Sequence, residues 1–227
     1  MLFLRMKPVI VTWQSESFAL LPQKAIFWQK ESTLFLSDPH FGKAATFRRA
    51  GIPISEKVSL GDCQRLGLLV RKTNAERIIF LGDFLHARLG RTESVRLMLS
   101  NWRNTFPELD LHLIRGNHDL KSGDPWPELG IQCHDEPWSM KTWDCRHHPI
   151  EEPGRPYLAG HLHPGFSIRE KNRTSLKSAC FHMGEKKLIL PAFGSFTGLT
   201  ETKPHYDDLI FLTNGEEIVA LPPFRKS

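Results

Sequence analysis

Five short clusters of carboxylate, amide and imidazole side chains constrain this chain more than anything else in it, because each follows an apolar run and closes on a turn. They read Asp38-Pro39-His40, Gly82-Asp83, Gly116-Asn117-His118-Asp119, Arg146-His147-His148-Pro149 and Gly160-His161-Leu162-His163. The first three come after TLFLS, RIIFL and LDLHLIR. Short runs rich in leucine and β-branched residues read as buried strands. In an open α/β sheet, binding residues lie just past the carboxyl ends of parallel strands. Three of the clusters are therefore expected along one edge of one sheet. Residues one apart on extended backbone share a face. On that ground Asp38 and His40 should reach one ion, and His161 and His163 should face the same site.

The rest of the chain supplies the frame. SFALL and AIFW predict a hairpin about Pro22–Lys24, followed by a strand over TLFLS at 33–37. Residues 56–73 carry apolar positions at near-helical spacing and predict a helix despite two glycines. A strand over Arg77–Leu81, a helix over Glu93–Thr105 and a strand over LDLHLI follow. This alternation predicts an α/β half with a largely parallel sheet. After Gly130 the runs are short and helices scarce: WSMKTWDC, PYLAG, FSIRE, SACFHM, KKLIL, DDLIFLT and EEIVA. They predict a second, mixed or antiparallel sheet. Because both halves contribute clusters, the two sheets should pack face to face in one domain spanning 1–227. No repeat or Gly/Ser linker divides it.

Oxygen and imidazole donors without thiols suit borderline-to-hard divalent ions such as Mn²⁺, Fe²⁺ or Zn²⁺. Cys63, Cys133, Cys145 and Cys180 form no CxxC pair, which excludes a zinc ribbon and reads as reduced thiols in a cytoplasmic protein. No run of 18 apolar residues predicts a membrane span, and MLFLRMKPVIVTW lacks the secretory pattern. The 30 Lys+Arg against 25 Asp+Glu give +5, which permits an anionic partner without demanding one. Each cluster taken alone is weak evidence. DxH and GD occur in ordinary turns, GNHD can simply cap one, and loop histidines are often only exposed. The order of all five is the signal, and seven of the 11 histidines fall in or beside them.

In this order, D-x-H, GD, GNHD, H and GHxH resemble the calcineurin-like metallophosphoesterases from Asp38 to His163. The resemblance implies a four-layer α-β-β-α sandwich with two mixed sheets and two divalent ions at the sheet ends. Carried over position by position, it assigns Asp38, His40, Asp83 and His163 to one ion. It assigns Asp83, Asn117, His147 and His161 to the other, with Asp83 bridging, and makes His118 the acid facing the leaving group. Either His147 or His148 can supply the imidazole before Pro149; relatives place the ligand two residues before the proline, which favours His147. Three residues after the bridging Asp, the protein phosphatase branch carries an Asp that orients the catalytic histidine. This chain has His86 there, as in the nuclease branch. A neutral imidazole can hydrogen-bond His118 but cannot stabilise an imidazolium as a carboxylate does. A narrower resemblance covers nearly the whole chain. SDPHFGKAATFRRAGIPI, GDFLHAR, RGNHD, RHHP, GHLHPGF and LILPAFGSFTGL together look like the ligase-associated DNA damage response endonuclease PdeM family.

These resemblances imply a phosphodiesterase in which a hydroxide bridged between two ions, Mn²⁺ first among them, attacks phosphorus while His118 assists the leaving oxygen. They imply DNA as substrate, a role in DNA repair, and association with DNA ligase and helicase. They leave room for a homodimer, although no heptad announces one. Lys43, Arg48 and Arg49, with Arg65, Arg71, Lys72 and Arg77, either neutralise flanking phosphates or form a solvated basic face. Trp102, Trp126, Trp138 and Trp143 either stack bases or pack in the core. Two other readings stand beside this one: hydrolysis of nucleotides or other small phosphate esters, and a non-catalytic scaffold of a repair complex. The filled ligand set and the presence of His118 weigh against the scaffold. The basic end at Arg225-Lys226 has no assigned role.

Overall fold

The computed structural model describes residues 7–55, 57–169 and 175–224. The segment MLFLRM, Glu56 of the expected helix, Glu170 of FSIRE and the Arg225-Lys226 pair lie outside the described residues. The first sheet runs in chain order: β1 (Val9–Trp13), β2 (Glu16–Leu21), β3 (Ala25–Trp28), β4 (Thr33–Leu36), β5 (Arg77–Phe80), β6 (Asp110–Ile114) and β7 (Ile131–His134). β1 to β4 pair antiparallel, and β4 to β7 pair parallel. The β2–β3 hairpin turns where expected, with Lys24 N donating to Leu21 O at 3.0 Å. Four α-helices are present among the described residues: α1 (Lys43–Arg49), α2 (Lys57–Thr73), α3 (Glu93–Thr105) and α4 (Asn117–Ser122). α2 and α3 match expectation. The side chain of Thr92 caps α3 by accepting from Val95 N at 3.4 Å. β1, β7, α1 and α4 carry no advance signal. The two strands lie at the sheet's edges with mixed burial, and the two helices are too short for a 3.6-residue period to show.

β5 shows why its sequence is apolar without alternation. Ile78 and Phe80 pack against Leu66, Leu69 and Leu99 of the helices, while Ile79 and Leu81 face the second sheet. A strand covered on both faces needs no polar side.

The second sheet contains β8 (Trp138–Met140), β9 (Trp143–Cys145), β10 (Tyr157–Ala159), β11 (Pro164–Arg169), β12 (Ser175–Met183), β13 (Lys187–Ile189), β14 (Thr200–Glu201), β15 (Leu209–Thr213) and β16 (Ile218–Ala220). It is mixed: β9, β10 and β13 run parallel, whereas β11, β12 and β15 pair antiparallel. Two mixed sheets thus face one another, as the resemblance implied. On the outer face of the second sheet, the cover over Cys180, Ile210 and Leu212 among the described residues is Phe166, Leu221 and Phe224 rather than a helix.

Between the sheets, Phe18, Trp28 and Phe35 of the first surround Trp143 of the second. Their rings meet that of Trp143 edge-on, at 5.9, 5.4 and 5.7 Å. Trp143 is fully buried. Trp143→Ala should therefore cost about 3–5 kcal/mol of unfolding free energy, read from urea denaturation. A loss under about 1 kcal/mol would mean that the inter-sheet core does not depend on this ring.

Candidate metal centre

The five clusters meet because backbone hydrogen bonds bind their loops together. Asp38 N donates to Gly82 O (3.1 Å) and His40 N to Asp83 O (3.0 Å), so the first two loops run side by side. From the second sheet, Phe193 N reaches Ser37 O and Gly194 N reaches Asp38 O. His161 N donates to Asp38 Oδ2 at 3.0 Å, which joins the GHxH loop to the DxH loop. Asp119, at 1% exposure, is the organiser that sequence reasoning left without a role. Its carboxylate accepts from Asp83 N, Phe84 N and Gly116 N at 2.7, 3.0 and 2.9 Å, fastening GNHD to GD. Burial raises its pKa, with Asp83 adding to the rise, to about 6 against these backbone donors. Packing is tight enough that a Cβ on Gly116 would run into the Asp83 carboxylate.

Local backbone corrects one expectation. Asp38, His40, Asp83, His161 and His163 have φ of 50°, 48°, 55°, 68° and 47°. The DxH and GHxH side chains therefore converge from left-handed backbone and not from one face of an extended segment. Non-glycine residues seldom adopt this conformation, and such strain concentrates at functional sites.

Among the described residues four overlapping sets of side chains bring potential ligand atoms together, and two of them flank Asp83. In the first, Asp38, His40 and His163 bring ligand atoms within 4.8 Å of one another. His40 Nε2 lies 3.4 Å from His163 Nε2, and His163 Nε2 lies 3.3 Å from Asp38 Oδ1. In the second, His147 Nε2 stands 3.1 Å from His161 Nδ1 and 3.2 Å from Asn117 Oδ1. Asp83 sits between them. Its Oδ2 is 3.8 Å from His40 Nε2 and its Oδ1 is 3.4 Å from His147 Nε2. Bonds of about 2.1 Å from one ion at near-tetrahedral angles place donors about 3.4 Å apart, so these spacings fit a cation in each group. Asp38 Oδ1 is also buried without a hydrogen-bond donor, as an oxygen reserved for a cation would be.

His147, His148 and His161 all bring ligand atoms within 4.8 Å of one another, but His147 and His148 are held differently. His147 is fully buried, and its Nδ1 donates to Leu81 O at 2.9 Å, which turns the Nε2 lone pair into the site. His148 is held by Glu136, whose carboxylate meets His148 Nδ1 and accepts from His147 N and His148 N at 2.8 and 3.0 Å.

The electrostatics are those of carboxylates and imidazoles forced together. Burial would raise the pKa of Asp83, but the hydrogen bond and charge of His147 hold it well below the usual carboxylate range. Burial opposes a proton on His147, yet the Asp83 hydrogen bond and the charges of Asp38 and Asp83 raise its pKa to about 9. Burial brings His40 down to about 3 despite the same carboxylates. A cation entering the second group must displace the His147 proton. Affinity for Mn²⁺ should thus rise about tenfold per pH unit between pH 6 and pH 8 and level off near pH 9, with one proton released. Calorimetric titration in buffers of different ionisation enthalpy checks this, and a pH-independent affinity would contradict it.

His118 borders both groups, its Nε2 3.8 Å from Asp83 Oδ2 and its backbone N donating to Asp83 Oδ1 at 2.9 Å. The expected hydrogen bond from the His86 ring is replaced by two other contacts. The His86 ring stacks on His118 at 5.0 Å and 22°, and it is the His86 backbone carbonyl that receives His118 Nδ1–H. That bond sets the tautomer and leaves Nε2 facing the site.

Most of the basic residues and all four tryptophans are engaged elsewhere. Arg65 pairs with Asp62 at 2.9 Å, Arg77 with Asp110 at 2.7 Å, and Arg48 Nη1 donates to Ile54 O at 3.1 Å. Arg71 lies over the ring of Phe106. Lys43 is the cation that stays by the site: it is half-buried, and burial lowers its pKa while Asp38 opposes the shift. Trp102 packs on Phe106, Trp126 lies under Arg91, Trp138 stacks on His134 and Trp143 is core. Outside the site, His112 pairs with His134 at 2.9 Å and His182 with Asp208 at 2.6 Å. All four cysteines are free thiols, and among the described residues no helix is long and apolar enough to cross a membrane.

Against known proteins, the model of the calcineurin-like phosphoesterase family matches residues 32–208. Among solved structures, a nuclease from Pseudomonas putida, MPE, is similar at 35% identity and a TM-score of 0.82, over 95% of this chain and 100% of that one. The phosphoesterase Yfce from E. coli matches at 14% identity and a TM-score of 0.38, over 85% of this chain and 99% of that one. No curated protein matches the chain.

Proposed function

Because this chain belongs to the calcineurin-like phosphoesterase family, we propose that it is a two-metal phosphodiesterase that cleaves DNA. The observation that best supports this is the position of Asp83, which turns one carboxylate oxygen toward each donor group. Asp38, His40, Asp83 and His163 would hold one cation, and Asp83, Asn117, His147 and His161 the other. The donor set suits Mn²⁺, with Fe²⁺ or Zn²⁺ as alternatives. Bound there, the cations supply positive charge to phosphoryl oxygens and make a water acidic near neutral pH. The chain's own groups do the rest. Asn117 and the imidazoles orient the site, Lys43 adds positive charge beside it, and His118, when it carries a proton on both ring nitrogens, delivers the one on Nε2 to the leaving oxygen and is left as the Nδ1–H imidazole bonded to the His86 carbonyl. A nucleic acid as the substrate is supported by the similarity to a nuclease, and the choice of DNA rests on the sequence resemblance. A place in DNA repair, alongside ligase and helicase, extends this proposal and rests on the sequence resemblance.

The test begins with chelated protein given back Mn²⁺, assayed on bis-p-nitrophenyl phosphate and on labelled DNA. Both should be hydrolysed only with metal, and DNA binding should weaken steeply with ionic strength. Turnover of the small ester with no action on DNA would support the nucleotide or small-ester reading. No turnover with any divalent ion, despite two bound per chain, would favour a scaffold.

A further inference from the structure

A row of aromatic rings leads outward from the candidate acid. The His118 ring stacks on His86 at 5.0 Å and 22°, and His86 stacks on Phe47 at 6.3 Å and 15°. Phe196 closes the row edge-on to Phe47, at 5.5 Å and 83°. Phe196 is 44% exposed. A lone phenylalanine at a surface is ordinary, but this one is held in place. On its amino side, Gly194 N donates to Asp38 O. Ser195 gives both Oγ–H and N–H to Asp62, at 2.5 and 3.0 Å, and Asp62 is 4% exposed and paired with Arg65. On its carboxyl side, Thr197 Oγ1 donates to Gly194 O at 3.0 Å. A half-buried ion pair and a ligand loop thus fix a phenyl ring that stays open to solvent. Phe196 and Thr197 share a crevice with His40 and Lys43, and Lys43 Nζ is 6.0 Å from the Phe47 ring. The site therefore places a cation, two phenyl rings and the candidate proton donor side by side.

We propose that Phe196, braced edge-on by Phe47, is a stacking platform for the nucleobase on the leaving-group side of the scissile phosphate, with Lys43 beside it for the phosphate; this rests on the nuclease reading above. The side follows from the row itself, because it starts at His118, the group that faces the leaving oxygen. Every base has a π-face, so the platform tolerates sequence while requiring that a base be present. Neither the tryptophans nor the distant arginines supply such a contact here.

The experiment uses the Mn²⁺-loaded protein on labelled oligothymidylate and on the same strand with a tetrahydrofuran abasic residue at every second position. Each phosphodiester of the second strand then has a base on one side only. Wild type should cut alternate bonds of that strand and every bond of the first. Phe196→Ala should lower kcat/KM on oligothymidylate on the order of tenfold, mostly through KM, and should cut the abasic strand without alternation. Phe196→Trp should restore both rate and pattern. Metal content and melting temperature report whether Phe196→Ala keeps its fold. Uniform cutting of the abasic strand by wild type, or an equal loss on both strands in Phe196→Ala, would overturn the platform and leave the nuclease reading standing. No cleavage of either strand by wild type would overturn both.

Discussion

Asp83→Asn should abolish phosphoester hydrolysis and metal retention together, with turnover lower by at least about a thousandfold, or about 4 kcal/mol of barrier. Asparagine keeps the shape of the side chain and can still accept from His118 N through its one oxygen. It has no second oxygen and no charge, however, and in this structure both oxygens are committed. Oδ1 faces His147 Nε2 at 3.4 Å and Oδ2 faces His40 Nε2 at 3.8 Å. Asp83 is 2% exposed, so water cannot take over the missing contact. The amide would also turn an N–H₂ toward one imidazole nitrogen that must keep its lone pair for a cation. Elemental analysis and turnover should therefore fall together. A variant that keeps two ions per chain and measurable hydrolysis would remove Asp83 as the bridge.

His118→Ala should separate what Asp83→Asn confounds. His118 lies at the edge of the two groups and outside both proposed four-residue ligand sets, so the variant should keep its metals. It should lose kcat by about 10²–10⁴-fold, the usual contribution of a positioned general acid. The loss should depend on the leaving group. A nucleoside alkoxide needs a proton as it departs, whereas p-nitrophenolate leaves as a stable anion. The variant should consequently be far more impaired on DNA than on bis-p-nitrophenyl phosphate. His118→Asn can still donate a hydrogen bond but cannot deliver a proton, and it should recover little of the activity on DNA. Equal loss on both substrates would mean that His118 orients the phosphate and does not protonate the leaving oxygen.

How far the site could be read from sequence differs from cluster to cluster. That Asp38, His40, Asp83, Asn117, His118, His147, His161 and His163 come together is legible in the motifs, which supply an unusual density of potential ligands at fixed spacing. The choice between His147 and His148 was open, since both are imidazoles before the same proline. The Leu81 carbonyl and the Glu136 carboxylate favour His147, and neither is a neighbour in sequence. The reason the DxH and GHxH side chains converge was misread. A two-residue spacing on extended strand and a pair of left-handed residues both bring i and i+2 together, and only φ distinguishes them. The hydrogen bond expected between the rings of His86 and His118 proved to be a stack, with the carbonyl of His86 as acceptor. Asp119 had no role because its partners are backbone amides, which no motif displays.

By itself the sequence determined the hydrophobic layout of both sheets, the two long helices and the list of candidate ligands, because those depend on local periodicity and on side-chain chemistry. Tertiary structure decided the pairing. It set which oxygen of Asp83 faces which imidazole, that Arg65 and Asp62 brace a loop 130 residues away, and that Phe196 comes to rest beside Phe47. Such contacts join segments far apart in the chain, and their geometry comes from strand register and loop hydrogen bonds. A linear pattern carries neither.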